Sequence, residues 1–334
     1  MSPGDRTSTI PDDPGALTSL VARALECWGL PGAKTEVSLV TRRENIVYRV
    51  TVTDSDRGHL TDFALRLHRP GLRTAPQLRS ELAWMQAMAE AGVPVPAPRL
   101  SRSGALIETV DGLNFSLLDW IDAEPLGRES GILQRAGAEA TMVELGRQIA
   151  LLHREAAAWT PPAGFDRPVW DFEGLLGEHP LWGRFWDRPE LSAEQADLLA
   201  RARDRGAEQL AAMAPPLRLI HGDLIPDNVL IGVDGGLHLI DFDDSCWSFR
   251  EFELATTISR LERSPDPEPL IEALLAGYEA LEPIDSQALP LVLALRHFTY
   301  VGWISDRIGE PGAPDRARRL IAAACTHAER LLQS

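Results

Sequence analysis

The chain has 334 residues, with 33 Lys and Arg against 49 Asp and Glu and a formal net charge of −16. With 44% hydrophobic and 25% charged residues, its composition is that of a globular chain and excludes wholesale disorder or a coiled coil. The negative balance excludes a general binder of nucleic acid or of anionic membrane, because both repel it.

Residues 1–14 carry Pro, Gly, Asp, Ser and Thr without periodicity and read as a flexible tail. From Leu17 the apolar spacing is helical, and Gly29 to Gly32 stop it. Glu36–Val40, Ile46–Thr53 and Asp62–Leu67 alternate as strands do, with short polar connections. Pro76–Ala91 predicts a helix, ended by Gly92 and a Pro-rich segment. Ala105–Val110 and Phe115–Ile121 read as two strands joined at Asp111-Gly112, a strong hairpin signal. Past Ile121 the texture changes. Helices are expected over Met142–Ala157 and Ala193–Ala214, with a Pro-, Gly- and Trp-rich stretch over 158–192 between them. Short apolar strands follow at Arg218–His221, Val229–Ile231 and Leu237–Asp241, and nearly everything from Glu251 onward is helical. The fold class expected is α+β in two lobes: a β-rich lobe over residues 15–120 with one main helix, and a mostly helical lobe over 121–334.

Cys27, Cys246 and Cys325 are an odd, scattered set without CxxC spacing, which fits a reducing cytoplasm better than a disulfide framework or a zinc site. The start lacks an apolar signal-peptide core. The longest apolar run, Leu289–Ile304, is interrupted by Arg296 and His297, so no membrane span is expected.

Chemistry concentrates in His221-Gly222-Asp223-Leu224-Ile225-Pro226-Asp227-Asn228 and in Leu239-Ile240-Asp241-Phe242-Asp243-Asp244. Phosphoryl transfer from ATP needs a carboxylate near the acceptor hydroxyl and oxygen ligands for Mg²⁺. An Asp after one strand, an Asn five residues on and a second Asp after the next hairpin supply both. Asp241 follows Asp223 by 18 residues, and this interval with H-x-D-x-x-x-x-N matches the catalytic-loop and DFG signatures of protein kinases, here with Asp-Phe-Asp as the triplet.

On these motifs the sequence resembles the aminoglycoside phosphotransferase and choline kinase-like family, the small-molecule branch of the protein-kinase-like fold, over roughly residues 30–330. It is also similar to stress-response, homoserine and hydroxylysine kinase-like members. The resemblance implies that Asp223 is the catalytic base or orients the acceptor hydroxyl. It implies that Asn228 and Asp241 hold magnesium, with Asp243 an additional or supporting ligand, and that His221 packs beneath the loop. An Asp in relatives buttresses this loop where the present chain has Glu253.

The phosphate-binding lysine of kinases is absent. Lys34, the only lysine, precedes the strands, and the string matching V-A-I-K is Phe63-Ala64-Leu65-Arg66. Alternation puts Ala64 and Arg66 on one face, where a small residue admits adenine and a guanidinium reaches phosphate oxygens. Glu81 is the expected partner of Arg66. The loop Thr41-Arg42-Arg43-Glu44-Asn45 lacks the glycines of a phosphate cradle, which leaves Asn45, backbone N–H groups and either arginine for that contact. Leu117–Ala123 is the expected hinge, with adenine contacts at Asp119 and Ile121 and Leu118 at the back of the pocket.

Fewer than ten residues separate Asp244 from the helix that opens near Ser248, too few for a peptide-binding activation segment. The expected function is therefore Mg²⁺-dependent transfer of the ATP γ-phosphoryl to a hydroxyl of a small molecule: an aminoglycoside, amino alcohol or homoserine-like acceptor. A Ser/Thr protein kinase of the stress-response type and a catalytically silent nucleotide-binding module remain alternatives. His179–Trp186 is dense in aromatics and reads either as an acceptor wall or as helix-packing core.

Overall fold

The structure, a computed structural model, describes residues 9–30, 35–42, 45–53, 60–127 and 137–333. Lys34, Arg43 and the first eight residues lie outside these. The chain forms two compact units. The first contains Met1–Glu124, Trp159–Arg167 and Gly232–Asp243, and the second contains Pro125–Ala158, Pro168–Ile231 and Asp244–Ser334. The first break thus falls four residues beyond the expected position at 120, and two later segments, one carrying Asp241 and Asp243, return to the first unit.

In the first unit, α1 (Pro14–Glu26) is capped by Asp13, whose carboxylate accepts the Ala16 N–H at 2.7 Å. Ile10 packs on the core beside it. The sheet follows with β1 (Thr35–Arg42), β2 (Ile46–Thr53) and β3 (Leu60–Leu67). Then come α2 (Ala75–Glu90), β4 (Pro98–Arg99), β5 (Glu108–Val110) and β6 (Leu113–Asp119). Its order is β1-β2-β3-β6-β4, with β5 also paired to β6, and every pairing is antiparallel.

Alternation turns Ile46, Tyr48 and Val50, then Leu65 and Leu67, then Phe115 and Leu117 to one face, where they meet Leu20, Val21 and Leu25 of α1. Each such side chain, fully buried, contributes about 1.5–3 kcal/mol. The opposite face carries Ala64, Arg66, Ser116 and Leu118, and α2 presents Glu81 to it. A reciprocal cap between Thr74 and Gln77 starts α2. The hairpin between β5 and β6 turns at Asp111 and Gly112, both left-handed at φ 52° and 78°, as a type I′ turn requires.

A short β7 (Ala123–Pro125) leads out of the first unit. The second unit is built on α3 (Ala138–Ala158), the one-turn α4 (Phe172–Leu176) and α5 (Ala193–Met213). Four short strands follow in the chain: β8 (Arg218–Ile220), β9 (Val229–Gly232), β10 (Leu237–Leu239) and β11 (Cys246–Ser248), of which β10 lies in the segment that returns to the first unit. The chain closes with α6 (Arg250–Leu261), α7 (Glu268–Glu279), α8 (Leu289–Ser305) and α9 (Ala313–Gln333). β8 pairs antiparallel with β11. α8 is buried along almost its whole length and supplies the centre of the unit's core. That burial explains why its sequence is apolar on all sides. Among the described residues, no helix is long and apolar enough to cross a membrane.

The aromatic segment 179–186 belongs to this core. Phe185 is buried and stacks on Phe298 with centroids 4.7 Å apart, while Trp182 meets Trp170 edge-on at 4.5 Å. Of its two readings, helix packing is the one observed.

Candidate functional site

In the second unit the loop after β8 is anchored from beneath. Gly222 has φ +83°, and a Cβ there would lie 2.5 Å from the Asp244 carbonyl oxygen, so only glycine fits. The Glu253 carboxylate, fully buried on α6, accepts the His221 N–H at 2.5 Å and the Gly222 N–H at 3.1 Å. Burial alone raises a carboxyl pKa, but the His153 and His221 side chains and the backbone donors outweigh it and hold Glu253 below the usual carboxylate range. Glutamate thus does the buttressing in this chain. His221 is buried, as expected, and its Nδ1 accepts the Asp223 N–H at 3.4 Å. Thr257 Oγ1 donates to the Leu224 carbonyl at 2.8 Å, fixing the next residue.

Asp223 is therefore carried on a stiff loop. Asn228, at the end of one 3₁₀ turn over Pro226–Asn228, returns its Nδ2 to the Asp223 carbonyl at 2.8 Å and to Oδ2 at 3.2 Å. That leaves Asn228 Oδ1 as the oxygen suited to a hard cation. The other Asp223 oxygen, Oδ1, accepts from Arg296 Nη2 at 2.9 Å. Burial pushes the Asp223 carboxyl up, Arg296 opposes the rise, and Asp244 adds to it; the net direction is upward. A raised carboxyl is a better proton acceptor near neutral pH.

In the first unit the Arg66 guanidinium is buried beneath the sheet face and donates through Nη1 to Glu81 Oε1 at 2.7 Å. Its Nη2 is buried without a hydrogen bond and lies 3.9 Å from Asp241 Oδ1. Glu81 is also fully buried; Arg66 and Arg167 overcome the desolvation and keep it ionised, its pKa below the ordinary range. Asp241 follows β10 in a left-handed conformation, φ 65°, with its side chain 54% exposed. A non-glycine residue held at positive φ stores strain, and such strain concentrates at functional sites.

Arg66, Glu81 and Asp241 are thus brought together within this unit, and Asp223 and Asn228 within the other. Ala64 and Leu118 are direct cross-strand partners, Ala64 half-buried and Leu118 buried. Asn45 and Asp119 are engaged elsewhere: Asn45 Oδ1 accepts the Arg69 N–H at 3.2 Å, and the Asp119 carboxylate grips Arg99 at 2.5 and 2.8 Å. The Asp119 N–H is spent on the Ala97 carbonyl at 2.9 Å, and the Ile121 carbonyl accepts from Ala123 at 3.0 Å. Asp243 is 6% exposed, and its carbonyl accepts from Arg73 Nε at 3.1 Å and Arg167 Nη2 at 2.5 Å.

Two arginines have clear roles that the sequence alone does not assign, Arg296 figuring there only as a break in an apolar run. Arg167 lies in the Pro-rich stretch and ties the Gln77, Phe242 and Asp243 carbonyls together, at 3.1, 3.3 and 2.5 Å. Arg296 interrupts an apolar helix. A buried charge needs a partner, and that rule was the available signal for Arg296.

The donors fit a nucleotide and a divalent ion. A buried guanidinium N–H without a hydrogen bond suits a phosphate oxygen, and amide and carboxylate oxygens suit a hard cation.

Comparison with known proteins points the same way. Residues 38–290 match the profile of the phosphotransferase enzyme family. An uncharacterised protein of Deinococcus radiodurans is 28% identical over 323 residues, covering 91% of this chain and 86% of that protein. The homoserine kinase of Sinorhizobium medicae is 28% identical over 65% of each chain. Among solved structures, a microcompartment-associated aminopropanol kinase superposes with a TM-score of 0.78 at 27% identity, covering 95% of this chain and 98% of its own. The amicoumacin kinase hAmiN, in complex with AMP-PNP, Ca²⁺ and Ami, shares the fold at a TM-score of 0.72 and 16% identity, covering 95% of this chain and 94% of its own.

Proposed function

Because the chain belongs to the phosphotransferase enzyme family, whose profile its residues 38–290 match, we propose that it is a Mg²⁺-dependent kinase that moves the γ-phosphoryl of ATP to a hydroxyl of a small molecule. The observation that carries this reading is the Asp223 carboxylate, held by Asn228 and Arg296 on a loop pinned by Glu253. A surface turn has no use for such anchoring.

The roles follow from the donors. Asp223 takes the acceptor hydroxyl proton or aligns the hydroxyl for attack, an assistance worth about 10²–10⁴ in rate. Arg66, fixed by Glu81, binds phosphate oxygens in place of a lysine. Asn228 Oδ1 in the second unit, and the Asp241 carboxylate with Asp243 in support in the first, are the oxygens that would bind magnesium. When bound, magnesium would supply neutralisation of the charge that develops on the transferred phosphoryl group. For adenine, the Asp119 carbonyl and the Ile121 N–H are the hinge groups left to use, with Ala64 and Leu118 lining the pocket. Asn45 reaches phosphate through its amide NH₂, because its oxygen is taken.

A short amino alcohol is the acceptor we favour. The aminopropanol kinase superposes with a TM-score of 0.78 at 27% identity, against 0.72 at 16% for the amicoumacin kinase. Scattered free cysteines support a cytoplasmic site of action.

The test is Mg²⁺-dependent ADP formation over a panel of amino alcohols, homoserine and aminoglycosides, with the phosphorylated product identified by mass. Asp223→Ala should abolish turnover while ATP still binds. Undiminished turnover in that variant would sink the mechanism, and ATP binding without product from any acceptor would favour a silent nucleotide-binding module.

A further inference from the structure

In the second unit Glu262, His297 and His327, none of them assigned a role above, converge from the end of α6, from α8 and from α9, His297 being the residue after Arg296. Both imidazoles are buried, at 5% and 7% exposure, and they lie nearly parallel, with centroids 4.1 Å apart and planes 12° apart. Both Nε2 atoms face one carboxylate oxygen, Glu262 Oε2, at 2.9 Å from His297 and 3.2 Å from His327. All three donor atoms lie within 4.8 Å of one another.

We propose that this trio is a binding site for a zinc-class divalent metal. A tetrahedral ion with bonds of about 2.0–2.1 Å sets its ligand atoms roughly 3.4 Å apart. The two observed edges fall slightly short of that spacing, and two stacked rings cannot both aim their Nε2 lone pairs at one ion, so binding requires one imidazole to swing out of the stack as the trio opens. Two imidazole nitrogens and one carboxylate oxygen select zinc and its neighbours over magnesium or calcium, which take oxygen ligands. The site is therefore chemically distinct from the all-oxygen set of Asn228 and Asp241. The Glu262 side chain is 24% exposed, which leaves the ion a solvent-facing position for entry and for a fourth ligand.

The ion would tie together three helices that are distant in sequence. A ligand bound only by the folded state stabilises it by mass action, so zinc acts here as a clip within the helical unit.

The experiment uses the full-length, tag-free chain, stripped with a chelator and kept in excess Mg²⁺, and titrates it with Zn²⁺ by calorimetry. One Zn²⁺ per chain and a thermal midpoint that rises with Zn²⁺ are expected. Co²⁺ in its place should give the visible bands of a four-coordinate ion. His327→Ala and Glu262→Gln should each weaken binding by more than about tenfold, the lower end of what losing even a supporting contact does. Should either variant fail to fold, ¹⁵N spectra of the wild-type histidines decide, because Zn²⁺ must shift the signals of His297 and His327. Absence of stoichiometric binding, unchanged affinity in both folded variants, or unmoved His297 and His327 signals would overturn the assignment. Each of these readouts is independent of phosphoryl transfer.

Discussion

Burial pushes the Asp223 carboxyl upward, and Arg296, 2.9 Å away, is the main influence against it. Replacing Arg296 with Met removes that opposition, so the Asp223 pKa rises further. The carboxylate acts in its ionised form, so the acid limb of kcat/KM moves to higher pH in Arg296→Met, while the plateau changes less. A pH–rate profile checks this, and an unmoved limb would show that Arg296 does not tune Asp223. Arg66 presents a different problem, because it serves both fold and substrate. Its side chain is 8% exposed and that of Glu81 is 0%. Arg66→Met strands a buried carboxylate, which costs about 3–5 kcal/mol. Arg66→Met with Glu81→Leu removes both charges and should recover most of that stability in urea unfolding, since an apolar pair of similar volume is often neutral. It should not recover ATP binding. Parallel recovery of stability and nucleotide affinity would refute the phosphate role.

Long, strongly periodic elements were legible in the sequence, and short ones were not. α2 was expected over Pro76–Ala91 and runs over Ala75–Glu90, and β2 matched its expected bounds, Ile46–Thr53. β4, β7 and β11 have two or three residues each, less than the span over which alternation can be recognised. Pro98 read as a break, yet it pairs with Leu118 on the rim of the sheet, where a missing N–H is tolerated. The expected strand at Ala105–Val110 shrinks to Glu108–Val110 for want of a partner along its first half. The Arg66–Glu81 pair was readable because alternation fixes the face of Arg66, while Asp223, Asn228 and Asp241 stand out by their spacing and their roles are proposals. Arg296 and Arg167 act through tertiary contacts that carry no local pattern. Helix contact is another such hidden property, and it can be tested at two glycines. Gly277 of α7 packs so closely on α3 that a Cβ would lie 2.0 Å from the Val143 carbonyl oxygen, while at Gly206 of α5 the closest neighbour is a Leu291 methyl at 3.5 Å. Alanine gains up to about 1 kcal/mol in helix propensity at either place. At Gly277 the backbone cannot yield, and overpacking should leave a net loss of about 1–3 kcal/mol. At Gly206 the substitution should be neutral or stabilising by about 0.4–1 kcal/mol. Denaturant midpoints of the two variants compare them directly, and equal effects would mean that α3 and α7 are not in that contact.

For the molecule as a whole, the excess of 49 acidic over 33 basic residues makes acid the informative perturbation, yet exposed ion pairs such as Arg201–Asp197 and Arg318–Asp315 are worth only about 0–1 kcal/mol each. The acid sensitivity of the fold should rest on the few buried carboxylates that the native state keeps ionised, and Glu253 is the one whose charge holds the Asp223 loop. Burial raises its pKa, but His153, His221 and the Gly222 N–H win, and the folded value lies below that of the unfolded chain, which is about 4.3. Its charge therefore favours the native state fully above that unfolded value, and the advantage is lost as pH falls through the lower folded one. Glu253→Gln keeps the shape and removes the charge. At pH 7 it should cost about 1.5–3 kcal/mol, the usual worth of hydrogen bonds to a charged group. As pH is lowered, wild-type Glu253 takes up its proton and comes to resemble the neutral variant, so the gap between the two unfolding curves should narrow. Urea titrations at a series of pH values measure that gap. A difference that stays constant from neutral to acid pH would mean that shape, and not charge, lets Glu253 hold the loop, and the raised but oriented Asp223 carboxylate would then need another anchor.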